Sequence, residues 1–226
     1  MLIPAYNEAR TIEDVVRRAR KIARGVLVVD DGSSDGSGDL ARRAGAEVIS
    51  HPDNRGKGAA LQEGFRRIMK EGWPRLVVID GDGQHEPEEI PAFLRAAEEE
   101  GAAVVVGNRM GNIARMPPVR YYTNLITSLI ISWLVKQRVP DSQCGYRLIR
   151  REVLDKIDFT TTKYDTESEL LVEAGRHGFK IGSVPIKSIY AGQESRIRPG
   201  KDTWRFIRLV LRSILFGRRK NAGSGG

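Results

Sequence analysis

Four apolar residues in a row, Leu76-Val77-Val78-Ile79, run directly into Asp80-Gly81-Asp82, and this junction constrains the fold more than any other segment. A run with no polar alternation is a strand covered on both faces, as strands of parallel sheets are. Leu2-Ile3, Gly25 to Val29, Ala46 to Ile49 and Ala102 to Val106 read as further strands, and helical patterns near 11–23, 37–44, 57–71 and 87–100 separate them. Repeated βα units of this length predict a parallel, doubly wound α/β sheet with helices on both faces. Around Gly107 to Pro118 the pattern gives way to Gly, Asn and Pro with scattered Arg, which marks a long loop. Beyond it, Tyr121 to Val135 reads as an apolar helix, 166–177 as a second helix and Phe179 to Ile186 as a strand. Trp204 to Phe216 is amphipathic, with Arg205, Arg208 and Arg212 largely opposite Ile207, Leu211, Ile214 and Leu215. Such a helix suits either packing on the sheet or lying in a membrane interface.

Charge is divided unevenly along the 226 residues. Residues 1–113 carry 16 Lys/Arg against 19 Asp/Glu and residues 114–226 carry 21 against 10, so the parts contribute −3 and +11 to the net +8. The second part is therefore expected to face an anionic partner. No apolar run reaches the ~20 residues of a spanning helix. The single cysteine, Cys144, rules out an internal disulfide and fits a reducing compartment; beside Gly145 it reads as a small buried residue.

Ligands of parallel sheets sit at the carboxyl ends of strands. Side chains alternate along an extended segment, so Asp80 and Asp82 point the same way across Gly81. Taken alone the step is equally an Asp-Gly turn or a cation site. Two further polar segments follow strands and precede helices on the same predicted edge: Pro4-Ala5-Tyr6-Asn7-Glu8 and Val29-Asp30-Asp31-Gly32-Ser33-Ser34-Asp35. An aromatic to stack on a base, carboxylates to accept from base or ribose, and a hard-oxygen pair for Mg²⁺ or Mn²⁺ together describe a nucleotide site. Gly56-Lys57-Gly58 lacks the phosphate-loop spacing and reads as close helix packing.

These segments, with Asn54-Arg55-Gly56-Lys57-Gly58 and Asp80-Gly81-Asp82-Gly83-Gln84-His85, resemble the family 2 glycosyltransferases of GT-A fold in order and spacing. Within that family the chain is most similar to the dolichyl- or polyprenyl-phosphate mannosyl- and glucosyltransferases. The resemblance implies one GT-A domain over 1–200, Rossmann-like, with 1–113 holding the nucleotide and 114–200 the acceptor. A basic amphipathic C-terminal helix over 201–220 and a tail over 221–226 follow. It implies that Pro4, Tyr6, Glu8, Val29, Asp31, Asp80, Gly81 and Asp82 hold the nucleotide sugar. Asp80, Asp82 and Gln84 would hold Mg²⁺ or Mn²⁺. Arg109, Arg120, Arg147 and Arg196 would face the acceptor, with Asp141 to Arg147 lining the cleft. Two departures stand out: an arginine expected just before Glu194-Ser195-Arg196 is absent, and Arg196 replaces a lysine.

The implied reaction moves a sugar from a nucleotide-diphosphate sugar, of the GDP-mannose or UDP-glucose type, to a polyprenyl or dolichyl phosphate with inversion. Catalysis would rest on Asp82, Arg109 and Glu167. The enzyme would sit peripherally on the cytosolic face of an anionic membrane, with no nucleic-acid partner. A phosphate acceptor is already ionised and needs cations, whereas a hydroxyl acceptor needs a base. Asp165, Glu167 and Glu169 keep open the alternative of a glycan or lipid-linked sugar hydroxyl as acceptor.

Overall fold

In a computed structural model of the chain, residues 1–111, 116–159, 165–187 and 210 are described. Their strands are β1 (Leu2–Ala5), β2 (Leu27–Asp30), β3 (Glu47–Ser50), β4 (Arg75–Val78), β5 (Val104–Asn108), β6 (Arg147–Arg150) and β7 (Ile181–Pro185). The helices are α1 (Ile12–Arg20), α2 (Ser37–Arg43), α3 (Lys57–Lys70), α4 (Ile90–Glu99), α5 (Pro118–Val135), α6 (Arg151–Leu154) and α7 (Asp165–Arg176), with a 3₁₀ turn at Pro87–Glu89 before α4. The strands and helices expected within the described residues are present with ends shifted by a few residues.

All seven strands join one sheet in the order β3-β2-β1-β4-β6-β5-β7. Every neighbouring pair is parallel except those of β6, which runs against both β4 and β5. β6 is not among the strands that the sequence predicts. Its two apolar residues, Leu148 and Ile149, are both fully buried, but so short a run between arginines carries no visible strand period. After β1 the chain adds β2 and β3 on one side, then returns to add β4 on the other. The strand order thus reverses between β1 and β4, and their carboxyl ends open a crevice.

Alternation along β1 fixes the layers. Leu2 faces α3, and it lies so close that a Cβ on Gly64 would meet its Cδ1 at 2.2 Å. Ile3, the next residue, reaches with Ile12 of α1 toward Gly81 on the other face. In α1 the buried positions Ile12, Val15, Val16 and Ala19 form the apolar stripe of a helix laid on a sheet. α7 packs on α5, and α4 on β5 and β7. No helix among the described residues is long and apolar enough to cross a membrane. The expected C-terminal helix over 201–220 lies, apart from residue 210, outside the described residues.

The Gly64 approach gives a direct test of the α3–β1 layer. Gly64→Val forces two branched methyls into a contact with no room for one carbon, and overpacking of this kind costs about 1–3 kcal/mol. The expected result is a urea midpoint lowered by that loss divided by the slope, with the slope unchanged.

Candidate active site

The segments at the carboxyl ends of β1, β2 and β4 meet. At the end of β1, Asn7 takes a positive φ of 53°, a conformation Asn tolerates better than most side chains. Its Oδ1 accepts from the Ser34 amide at 2.9 Å and its own amide donates to Ser33 Oγ at 2.9 Å. The Glu8 amide donates to Ser37 Oγ at 2.7 Å. These bonds tie the Tyr6-Asn7-Glu8 loop to the loop after β2. Thr11 Oγ1 donates to the Gly81 carbonyl at 2.7 Å, which ties it to the loop after β4 as well. Pro4 and Val29 sit opposite each other in β1 and β2, both buried in the sheet.

Asp31 is 2% exposed. Its Oδ1 accepts from His51 Nδ1 at 2.7 Å and the Arg55 amide at 3.0 Å, and its Oδ2 accepts from the Gly56 amide at 2.7 Å. The carboxylate thereby holds the segment that leads into α3 and places Lys57 at the helix start.

Lys57 is the residue that sequence reading missed. Its Nζ lies 2.6 Å from Asp80 Oδ1 and 3.2 Å from Glu167 Oε1, joining α3, the loop after β4 and α7. Burial alone would lower its pKa, but the two carboxylates raise it. Gly145 presses against the same pair: a Cβ there would meet Asp80 Oδ2 at 2.6 Å and Lys57 Nζ at 2.9 Å. Only glycine admits this contact. The signal was present in Gly56-Lys57-Gly58, where the glycines were read and the lysine between them was not.

Asp80 and Asp82 differ electrically although they are two residues apart. Burial would raise Asp80, but the Lys57 ammonium, aided by Arg109, holds it below the usual carboxylate range. Burial pushes Asp82 up, and the Asp80 charge adds to that rise; Arg120 and Lys57 oppose it. Asp82 Oδ1 also accepts from the Gln84 amide at 2.9 Å. Two neighbouring carboxylates whose mutual repulsion is only partly relieved fit a hard cation such as Mg²⁺ or Mn²⁺, which takes one or two carboxylates and completes its shell with substrate oxygens and water. Among the described residues no cluster of three or more His, Cys, Asp or Glu gathers as a protein-only cage.

The expected acceptor arginines divide. Arg120, at the start of α5, is close enough to bear on Asp82. Arg109 is 3% exposed, and its Nε and Nη2 donate to the two oxygens of fully buried Asp141 at 2.7 and 2.9 Å. Arg147 is 1% exposed, and its three nitrogens donate to the carbonyls of Cys144, Ser142 and Glu167. Instead of presenting a cation to solvent, Arg147 clamps the 142–144 loop to the start of α7. Cys144 is fully buried, its thiol pushed by that burial up to about 12. Arg196 and the Asp165 side chain lie outside the described residues.

The family model for glycosyl transferase family 2 matches residues 1–158. The chain belongs to that family. The polyprenol monophosphomannose synthase of Mycolicibacterium smegmatis is 34% identical over 200 residues, covering 82% of this chain and 75% of that protein. The UDP-N-acetylglucosamine–dolichyl-phosphate N-acetylglucosaminyltransferase of Methanococcus voltae is 30% identical over 213 residues, 84% of this chain and 85% of that one. Among solved structures, glucosyl-3-phosphoglycerate synthase from Mycobacterium tuberculosis with Mn²⁺ and UDP-glucose superposes at a TM-score of 0.70 with 25% identity, covering 96% of this chain and 77% of that one. The sheet of this family 2 glycosyltransferase is thus that of the GT-A fold.

Below the carboxylate pair, His85 is 2% exposed and stacks near Tyr146 at a ring separation of 5.5 Å. Burial, outweighing the opposite pull of Asp80, lowers its pKa from 6.5 to about 4. Between those values the unfolded chain binds the proton and the folded one does not, so stability falls as pH drops through that window, by roughly 3 kcal/mol in all. Denaturant midpoints measured across it are expected to fall in the parent and to fall less in His85→Gln.

Proposed function

We propose that the protein transfers a sugar from a uridine-diphosphate sugar to the phosphate of a polyprenyl lipid, with inversion, while bound peripherally at the cytosolic face of a membrane. The observation that carries this reading is the Asp80–Asp82 pair at the strand-order reversal, beside the segment held by Asp31. The names of the two relatives above, each a polyprenol or dolichyl-phosphate transferase, support the acceptor class. An acceptor phosphate oxygen attacks the anomeric carbon as the bond from that carbon to the diphosphate oxygen breaks, and the nucleoside diphosphate leaves with the bonding pair. A divalent cation at Asp80 and Asp82, with Gln84 alongside, supplies Lewis-acid stabilisation of that leaving charge. Tyr6, Glu8, Pro4 and Val29 form the nucleotide side of the crevice and Arg120 the acceptor side. Arg109 acts from beneath, fixed by Asp141.

Asp31 supports uridine over guanosine. Its Oδ1 already takes two donors and its Oδ2 one, which leaves capacity for a single further hydrogen bond. Uracil presents one ring N–H, whereas guanine presents an N–H and an amino group side by side. With Mn²⁺ present, UDP is expected to raise the melting temperature more than GDP at equal concentration. A larger shift with GDP overturns the uridine assignment, and no shift with either overturns the glycosyltransferase site itself.

Glu167 favours the phosphate acceptor over the hydroxyl one. A carboxylate already paired with Lys57 at 3.2 Å is the counter-ion of a buried ammonium before it is a base. Glu167→Gln should therefore lower turnover only partly, by about tenfold or less, the loss coming from a displaced Lys57. Loss of a thousandfold or more, with nucleotide binding intact, would instead identify Glu167 as the base for a hydroxyl acceptor.

A further inference from the structure

Helix α5 is inside out. Its buried positions are Asn124, Ser128, Ile131 and Val135, half of them polar. Its solvent side carries Val119, Tyr122, Ile126, Leu129 and Trp133, between 56% and 80% exposed. Among the described residues the only other large exposed apolar side chain is Ile22 at 36%. The spacing of 3, 4, 3 and 4 residues sets all five on one stripe along a helix of 18 residues, or roughly 27 Å. A core-facing helix would bury that stripe and expose the serines.

We infer that the outer face of α5 is a lipid-docking surface, which lies in the headgroup boundary of an anionic membrane and brings the crevice to it. Three observations favour a bilayer as the occupant. First, the stripe is flanked by cations and holds no acid: Arg120 opens the helix, Lys136 and Arg138 follow it, and no other charged residue lies from 118 to 138. Second, the helix's hydroxyls donate inward to its own backbone: Thr123 to the Val119 carbonyl at 2.8 Å, Thr127 to that of Thr123 at 2.9 Å, and Ser132 to that of Ser128 at 2.7 Å. Such back-bonding satisfies the hydroxyls where water is scarce. Third, the stripe begins beside the site, because Arg120 follows Val119 and bears on Asp82. Tyr122 and Trp133 supply amphipathic rings of the kind that sit at headgroup level.

A second copy of the chain fits less well. The 3-4 spacing is that of a coiled-coil seam, but the flanking positions are Thr123, Leu125, Ile130 and Ser132, without the charges that set partner and orientation there. Nor does the helix span, since it falls short in length and apolarity; it lies in the plane of the interface.

This inference rests on the proposed lipid acceptor for its purpose, but its test needs no turnover. In the full chain with Trp73→Phe and Trp204→Phe, Trp133 is the sole tryptophan. Phosphatidylcholine vesicles containing phosphatidylglycerol should shift its emission to the blue, and bromine-labelled acyl chains should quench it. L129E with I126E should weaken flotation with those vesicles by roughly tenfold or more, while the UDP–Mn²⁺ melting shift stays as in the parent. Trp133 that remains at its solution wavelength in floated protein overturns the proposal, because another segment then makes the contact. Emission already blue without lipid also overturns it: a dimer by sedimentation velocity that L129E dissolves would assign the stripe to a second copy, and a monomer would assign it to the chain's own 201–220 segment. Vesicle docking through Trp133 without any sugar transfer to polyprenyl phosphate would leave the surface standing and sink the reaction.

Discussion

The ammonium of Lys57 is the interaction on which the site depends. It joins the first turn of α3, the loop after β4 and the start of α7 through Asp80 and Glu167. Without it, two carboxylates would be left half-buried together, with Asp82 close behind. An uncompensated buried charge is costly enough to rearrange a local structure. Gly145 exists at its position because Asp80 and Lys57 leave no space for a Cβ, and Arg147 clamps the loop that carries it. Asp31 adds the last restraint by holding the Arg55 and Gly56 amides, which fix where Lys57 begins its helix. The pair leaves Asp80 and Asp82 unequal: one has its cation within the protein, the other has its charge opposed by burial and by its neighbour.

Most of the first 110 residues could be read from the chain because each βα unit is locally consistent: an unbroken apolar run, a polar turn, then an apolar stripe at helical spacing. The site edge followed, since parallel strands deliver their carboxyl ends to one side. What escaped is non-local. β6 is a strand through its pairing with β4 and β5, which lie far off in sequence, and Arg147-Leu148-Ile149-Arg150 shows no period of its own. Gly56-Lys57-Gly58 reads in sequence as helix packing alone, and the role of Lys57 depends on Glu167 more than a hundred residues away. Arg147 looked like a free cation because a sequence shows charge but not the carbonyls that surround it.

The same distinction changes the meaning of the basic second part. Its +11 is not all available to a partner. Arg147 is consumed by carbonyls inside the fold, and Arg109, from the first part, by Asp141. Arginine suits this duty because its planar fork satisfies several acceptors while remaining charged. Of the described arginines considered for the acceptor, Arg120 is the one that is partly exposed, and it acts on Asp82. A net charge thus overstates the cationic surface near the site, and the location of the remaining cations says more than their number.

Arg120 also links the two halves of the proposed chemistry. It belongs to the first turn of α5, so the element that turns an apolar stripe outward is the one that carries a cation toward Asp82. Were α5 an ordinary amphipathic helix, its apolar side would face α7 and its serines would face water. The inversion has a local cost: Asn124 and Ser128 occupy inner positions where apolar residues would pack better, and Ser128 recovers part of it by accepting from the Ser142 amide at 2.8 Å. That bond ties α5 to the loop running from Asp141, the partner of Arg109, to Gly145, the neighbour of Asp80. The polar inner face of α5 is thus hydrogen-bonded to the loop that carries the partner of Arg109 and the neighbour of Asp80, a role that apolar core packing would not supply.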